Sequence, residues 1–202
     1  LKNFIFSNTG AIYGTGLNLK EKTKIRCLND YSLSKYLASN LVIDFAKKYN
    51  FLYKELRFFS IYGKWEKKHR LVCGALLKAL KKKKYKILSS NQLRDYLNVE
   101  DIIEALLMSA STNKNLVLNI CSGKKQSIYD LVKKIYKKLN SDSKLILISS
   151  KKNKNNTINK LVGNNQKAKH ILKWHPKIPL QEGLDKTIKW LKLNKDVNTY
   201  LK

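Results

Sequence analysis

The stretch Leu1-Lys-Asn-Phe-Ile-Phe-Ser-Asn-Thr-Gly-Ala-Ile-Tyr-Gly14 passes from an apolar run into a turn rich in hydroxyl and amide side chains. An apolar run without polar alternation, bounded by Ser7, Asn8, Thr9 and Gly10, predicts a buried parallel-type strand entering a turn. Beyond it, Leu37, Leu41 and Phe45 recur every four residues beside Ala38 and Val42, which predicts a helix of about five turns from Tyr31, with one apolar face. A second strand is expected over Glu55–Tyr62, ended by Gly63. Residues 66–84 predict a helix running into Lys81–Lys84, where the helix dipole favours cations. Short strands follow at Tyr85–Leu88 and Asp95–Val99, a helix at Glu100–Ser109, a strand at Leu116–Ile120, a helix at Ser127–Leu139 and a strand at Lys144–Ile148. Ser149–Lys160 reads as a polar loop, and Gln166–Leu172 and Leu180–Leu191 as two short helices, the second led in by Pro179. Strands alternating with helices define an α/β protein with a largely parallel sheet.

The 202 residues, 43% hydrophobic and 28% charged with two prolines and eight glycines, suffice for one domain, or one domain and a small lobe. They exclude collagen-like, disulfide-scaffold and wholly disordered classes. Forty-two basic residues against 14 acidic give a formal charge of +28, which on its own suggests an anionic partner such as nucleic acid. Arg26, Arg57, Arg70 and Arg94 are the only arginines, however, and arginine supplies the bidentate fork that base and phosphate readers favour. Lysine here travels with abundant asparagine and isoleucine, as under compositional drift, and no zinc-finger, basic-zipper or RNA-binding strand pattern occurs. Cys27, Cys73 and Cys121 are far apart and read as inert thiols, and His69, His170 and His175 lack partners at metal-ligand spacing. No apolar run reaches the roughly 18 residues of a membrane span, and the start does not resemble a signal peptide, so a soluble cytoplasmic protein is expected.

Tyr31-Ser-Leu-Ser-Lys35 places a phenol and an ammonium four residues apart on one helix face. An ammonium there stabilises a phenolate, the form a tyrosine needs to act as a base near neutral pH. The spacing alone is weak, since Tyr129 and Lys133 repeat it in an ordinary amphipathic helix. Tyr31 differs in following a strand and a hydroxyl-bearing loop where a substrate can sit.

In this context the chain resembles the extended short-chain dehydrogenase/reductases that modify nucleotide sugars, among them epimerases, dehydratases and 4-ketoreductases. The match runs in order over nearly the whole chain. Ser7-Asn-Thr-Gly-Ala-Ile-Tyr-Gly14 is similar to the loop carrying the catalytic Ser/Thr, and Tyr31 with Lys35 to the catalytic pair. Leu56-Arg-Phe-Phe-Ser-Ile-Tyr-Gly63 resembles the segment that contacts cofactor and sugar diphosphate, and Arg94-Asp-Tyr96 the segment whose arginine binds the diphosphate. Asn119-Ile-Cys-Ser-Gly123, Leu172-Lys-Trp-His-Pro176 and Glu182-Gly-Leu184 complete the series. The resemblance implies a partial Rossmann-type sheet in residues 1–62 and about 95–123, interleaved with a substrate-binding lobe in 63–94 and 124–202. It implies that Thr9, Tyr31 and Lys35 are catalytic, that Ser7, Phe58, Tyr31 and Lys35 hold NAD or NADP, and that Ser60, Arg70, Leu71 and Arg94 contact a nucleotide sugar. A hydride would pass between nicotinamide and sugar while Tyr31 moves the hydroxyl proton, in synthesis of surface-polysaccharide precursors. For Arg70-Leu71-Val72 a plain helix start accounts for the residues equally well.

The departures from the family pattern are specific. Ser60 stands where asparagine is frequent, Lys64 where proline follows Tyr-Gly, and Ser39 where glutamate is common. Gly10-Ala11 stands where 4,6-dehydratases resembling this family carry acids, which disfavours a dehydratase and leaves an epimerase or ketoreductase. The Gly-x-x-Gly-x-x-Gly turn that binds the cofactor pyrophosphate is missing, since Gly10, Gly14 and Gly16 are wrongly spaced and follow the wrong strand. Leu1 falls near the fifth strand of the family sheet, so the chain is expected to be the C-terminal two-thirds of the enzyme. A second chain supplying the N-terminal segment and a homodimer are the partners this suggests. A noncatalytic nucleotide-sugar-binding remnant and a basic nucleic-acid-binding protein stay open as other readings.

Overall fold

A computed structural model describes residues 1–149 and 157–193; part of the polar loop expected at Ser149–Lys160 lies outside them. The chain runs β1 (Asn3–Thr9), β2 (Gly16–Leu19), α1 (Asp30–Lys48), β3 (Leu52–Phe58), β4 (Ser60–Tyr62) and α2 (Leu71–Leu80). It continues through β5 (Tyr85–Ile87), β6 (Leu93–Arg94), β7 (Tyr96–Asn98), α3 (Val99–Ala110), β8 (Leu116–Ile120), β9 (Gln126–Ser127) and α4 (Ile128–Lys138). β10 (Ile146–Ile148), β11 (Lys160–Gly163), α5 (Gln166–Leu172) and α6 (Leu180–Leu193) close it.

The central sheet is β1-β3-β8, all parallel, with Thr9 opposite Phe58 and Phe58 opposite Ile120 at its carboxyl end. The strand expected at 55–62 breaks at Phe59, because the chain changes partner there: β3 pairs with β8, whereas β4 pairs with β7 and Ser60 donates its amide to the Asp95 carbonyl at 2.9 Å. β2 and β11, which carry no strand pattern of their own, pair with each other in a four-stranded sheet, β2-β11-β6-β9. Only its β6–β9 pair is antiparallel among the strand pairs of the described residues.

Two principal apolar clusters result. One packs α3 and α5 on the central sheet through Leu56, Leu118, Ile120, Ala105, Leu172 and Trp174. The other joins α2, α4 and α6 through Val72, Leu76, Leu131, Ile135, Tyr136 and Leu184. Asp101, on the first turn of α3, accepts the amides of Lys177 and Ile178 while its carbonyl takes Trp174 Nε1, pinning the segment between α5 and α6 to the sheet layer.

Helix α1 has the predicted length but not the packing its apolar stripe suggests. Leu37, Leu41 and Phe45 are more than half exposed, at 54%, 59% and 52%. The face against the sheet buries Ser32, Ser39 and Ala46, each seven residues from the next, small side chains that let the helix come close. Its start is fixed by a capping box: Asn29 Oδ1 accepts the Ser32 amide and Ser32 Oγ accepts the Asn29 amide.

Helix α2 is shorter than expected. Arg70 is extended and provides no side-chain cap, and the helix stops before Lys82, whose φ of 48° is left-handed. Glu66 does the capping, accepting the Cys73 amide at 3.0 Å, and burial pushes its carboxyl from 4.5 up to about 7 despite that bond and nearby Arg70. A carboxyl raised on folding favours the folded state while protonated, so its stabilising share is lost as pH rises from 4.5 through about 7. Glu66→Gln, fixed in the neutral form, should therefore flatten the fall of the thermal midpoint across that pH window relative to the unaltered protein. Parallel pH profiles for the two would contradict this.

Candidate active site

The carboxyl ends of parallel strands are where α/β sheets take ligands, because the loops diverge there. Thr9, Ser60 and Ser122-Gly123 all leave from those ends of β1, β3 and β8. Thr9 caps the short 3₁₀ turn Gly10–Tyr13: its backbone is extended, its Oγ1 accepts the Ala11 amide at 3.1 Å, and its own amide donates to Asn8 Oδ1 at 2.7 Å. A hydroxyl that only accepts within the protein keeps its proton to donate to a ligand oxygen.

Two residues earlier on the same strand, the Ser7 carbonyl accepts Lys35 Nζ at 2.6 Å, and that ammonium lies 4.7 Å from the centroid of the Phe6 ring. The bond uses one of the three ammonium protons and fixes the cation beside β1. Tyr31 stands one turn earlier on α1, 58% exposed, and its phenol has no hydrogen bond among the described residues. The structure thus gathers Ser7, Thr9 and Lys35 and sets Tyr31 on the adjoining turn.

The remaining expected contacts are dispersed. Phe58 sits at the sheet's carboxyl end with its ring in the apolar cluster under α3. Ser60 opens β4, Arg70 is exposed at the start of α2, and Leu71 packs on the α2–α4–α6 cluster. Arg94 already donates to the carbonyls of Leu93, Ile158 and Asn159, from 2.7 to 3.2 Å, leaving part of its fork for a ligand. Its neighbour Asp95 is fully buried and accepts from Ser122 N, Ser122 Oγ, Gly123 N and Gly163 N. Burial pushes that carboxyl up against those donors, which join β6, β8 and β11 behind the site. Cys121 beside it is buried and its thiol is pushed well up by that burial, and Cys73 is pushed up to about 11, consistent with unreactive thiols. No group of three metal-ligating side chains occurs among the described residues, and no helix there is long and apolar enough to cross a membrane.

Beneath the catalytic candidates lies a buried polar network that sequence reasoning missed. Glu55 Oε1 accepts from Asn8 Nδ2 at 2.8 Å and Arg57 Nε at 2.6 Å, and Glu55 Oε2 accepts from Ser39 Oγ at 2.5 Å. Arg57 donates onward to the Tyr13 phenol at 2.7 Å, and Tyr13 to Asn119 Oδ1 at 2.8 Å. Burial outweighs Arg57 and pushes Tyr13 up to about 12, so the phenol stays a donor. An available signal was the pair Glu55 and Arg57, opposite charges two apart within an apolar strand and hence on one face.

The family model of the GDP-mannose 4,6 dehydratases matches residues 2–187. The chain belongs to this family. The GDP-mannose 4,6 dehydratase family model thus spans both the sheet and the α2–α4–α6 layer. The chain is 28% identical to the Thermotoga maritima UDP-glucose 4-epimerase solved with UDP-glucose, with a TM-score of 0.89 over 96% of this chain and 64% of that one. It is 26% identical over 201 residues to human dTDP-D-glucose 4,6-dehydratase, covering 96% of this chain and 57% of the relative. The Bacillus anthracis dTDP-glucose 4,6-dehydratase solved with NAD shares the fold at a TM-score of 0.89 and 23% identity, over 98% of this chain and 64% of that one. This chain therefore spans about three-fifths of the length of these relatives.

Within the family, Gly10 marks a tight point of the site. A Cβ there would lie 2.7 Å from Phe59 Cζ, so any side chain must displace the ring. Gly10→Ala should cost about 1–3 kcal/mol, the usual range for overpacking, measured by urea denaturation. An unchanged denaturation midpoint would show that Phe59 yields freely.

Proposed function

We propose that this chain carries the catalytic and substrate-binding part of an NAD(P)-dependent nucleotide-sugar epimerase or 4-ketoreductase. The observation that carries this reading is the clamp of Lys35 on the Ser7 carbonyl, two residues from a Thr9 hydroxyl whose proton is uncommitted. A fixed ammonium and a free hydroxyl donor at one strand end suit an oxygen on which negative charge develops. Tyr31, on the same face of α1 as Lys35, takes the proton of the reacting sugar hydroxyl, and Thr9 donates to that oxygen.

A nicotinamide dinucleotide, when bound, accepts the hydride from the sugar carbon and returns it. Lys35 fits its ribose, since two ammonium protons remain after the bond to Ser7. The relatives' names and bound molecules support this class of substrate and cofactor. Arg94 supplies its unused donors to the diphosphate.

The crowding at Gly10 supports the choice within the family. Gly10 is closed to a side chain by Phe59 and Ala11 carries only a methyl, so neither residue supplies the acid expected there in dehydratases to drive loss of water. The reading extends to the synthesis of surface-polysaccharide precursors, one use of nucleotide sugars. Among the described residues β1 pairs with β3 alone, and its other edge suits a further parallel strand bringing the cofactor pyrophosphate site, on this polypeptide or a second one.

Tyr31→Phe, made in the enzyme with its cofactor-binding segment present, should lower turnover of a UDP- or dTDP-hexose by at least about a hundredfold with the fold intact. Near-normal turnover would overturn the assignment. Calorimetric titration with nucleotide sugars and with NAD(H) separates the noncatalytic reading, which predicts sugar binding without cofactor binding.

A further inference from the structure

The candidate catalytic groups stand on two separate elements, Thr9 at the end of β1 and Tyr31 and Lys35 on α1. Something must fix the distance between them, and the apolar stripe of α1 does not, because it faces outward. The groups that bridge the gap are polar. Glu55 accepts from Asn8 on one side and from Ser39 on the other. Asn8 in turn accepts the Thr9 amide, and Ser39 lies one helical turn beyond Lys35. Glu55, Asn8 and Ser39 are each no more than 3% exposed, so the bridge is closed to water and its bonds are not exchanged for solvent.

We propose that Glu55 is the positioning residue of the catalytic set, its carboxylate fixing α1 against the Thr9 turn, and that the same carboxylate can be delivered from position 39 instead. The inference rests on the hydride-transfer reading for its catalytic consequence, while its structural content stands on the contacts alone.

Charge matters as well as shape. Arg57 is 9% exposed, bound through Nε to Glu55 and through its terminal nitrogen to Tyr13. A buried guanidinium left without its anion is strongly destabilising, so a neutral group at position 55 unsettles Arg57, Tyr13 and the turn Gly10–Tyr13 together. The reach from helix to strand explains the second half of the proposal. Ser39 Oγ already stands 2.5 Å from Glu55 Oε2, so a longer acidic side chain at 39 puts its carboxyl group where that of Glu55 now sits, once residue 55 is small.

The test uses Glu55→Gln, Glu55→Ser and the exchanged double variant Ser39→Glu/Glu55→Ser, made in the full-length protein. Amide hydrogen exchange is followed at Thr9 and Ala11, whose amides donate to Asn8 and Thr9, with Ile135 of α4, buried in the other apolar cluster, as the reference. Glu55→Gln should speed exchange at Thr9 and Ala11 about tenfold more than at Ile135, and the double variant should restore slow exchange. In the same variants, kcat for the nucleotide sugar should fall about tenfold in Glu55→Gln with KM little altered, and recover in the double variant. Exchange that stays unchanged, or that rises equally at Ile135, would overturn the positioning role. Failure of the double variant to recover beyond Glu55→Ser would overturn the interchange. An enzyme with no hydride transfer would refute the functional reading alone, because the exchange data still decide the bridge.

Discussion

A carboxylate held away from water, Glu55, binds three elements of this fold at once, accepting from Asn8 on β1, Ser39 on α1 and its own strand neighbour Arg57. Burying an ion pair is costly unless the remaining lone pairs and protons find partners, and here they do, through Tyr13, Asn119 and the Glu21 carbonyl. The central sheet supplies the frame for this arrangement. Its three parallel strands end level, and their loops present Thr9, Ser60 and Ser122 on one rim. α1 then lies close over the sheet because Ser32, Ser39 and Ala46 are small, which brings Lys35 within reach of the Ser7 carbonyl. The candidate site is thus a product of polar contacts between a strand and a helix more than of apolar packing between them.

Much of this was legible in the residue order. The apolar run before Thr9, the four-residue spacing from Tyr31 and the alternation of elements reproduce the parallel strand β1, α1 and the α/β class, but β1 is not the buried strand expected: it ends the β1-β3-β8 order, and of its residues Asn8 alone is buried. β8 and α5 fall on their expected residues, Leu116–Ile120 and Gln166–Leu172. What was not legible depends on partners distant in sequence. β2 is a strand because it finds β11, about 145 residues away, and β11 because it lies between β2 and β6. The stripe Leu37, Leu41 and Phe45 reveals the helical period but not which face packs, since the packed face is marked by small residues that no hydrophobicity pattern registers. Glu55 was hidden for a similar reason: a charged residue in a strand reads as exposed until the donors that surround it are known.

The formal charge of +28 changes meaning in this setting. Lys35 and Arg94 have specific geometric tasks, and a few other cations are in ion pairs, such as Lys64 and Lys186 with Glu100. Exposed pairs of this kind contribute little to stability. Under the proposed function, the anion these cations meet is a sugar diphosphate and not a polyanion.

The proposed function requires hydride transfer at a carbon that bears a hydroxyl, with Tyr31 handling only the oxygen-bound proton. A nucleotide sugar deuterated at that carbon tests it directly, in the enzyme with its cofactor-binding segment present. Deuterium should remain at the same carbon after epimerisation, or appear on the nicotinamide after a single oxidation. Loss of the label to water would mean that the carbon gives up a proton, and would contradict the account.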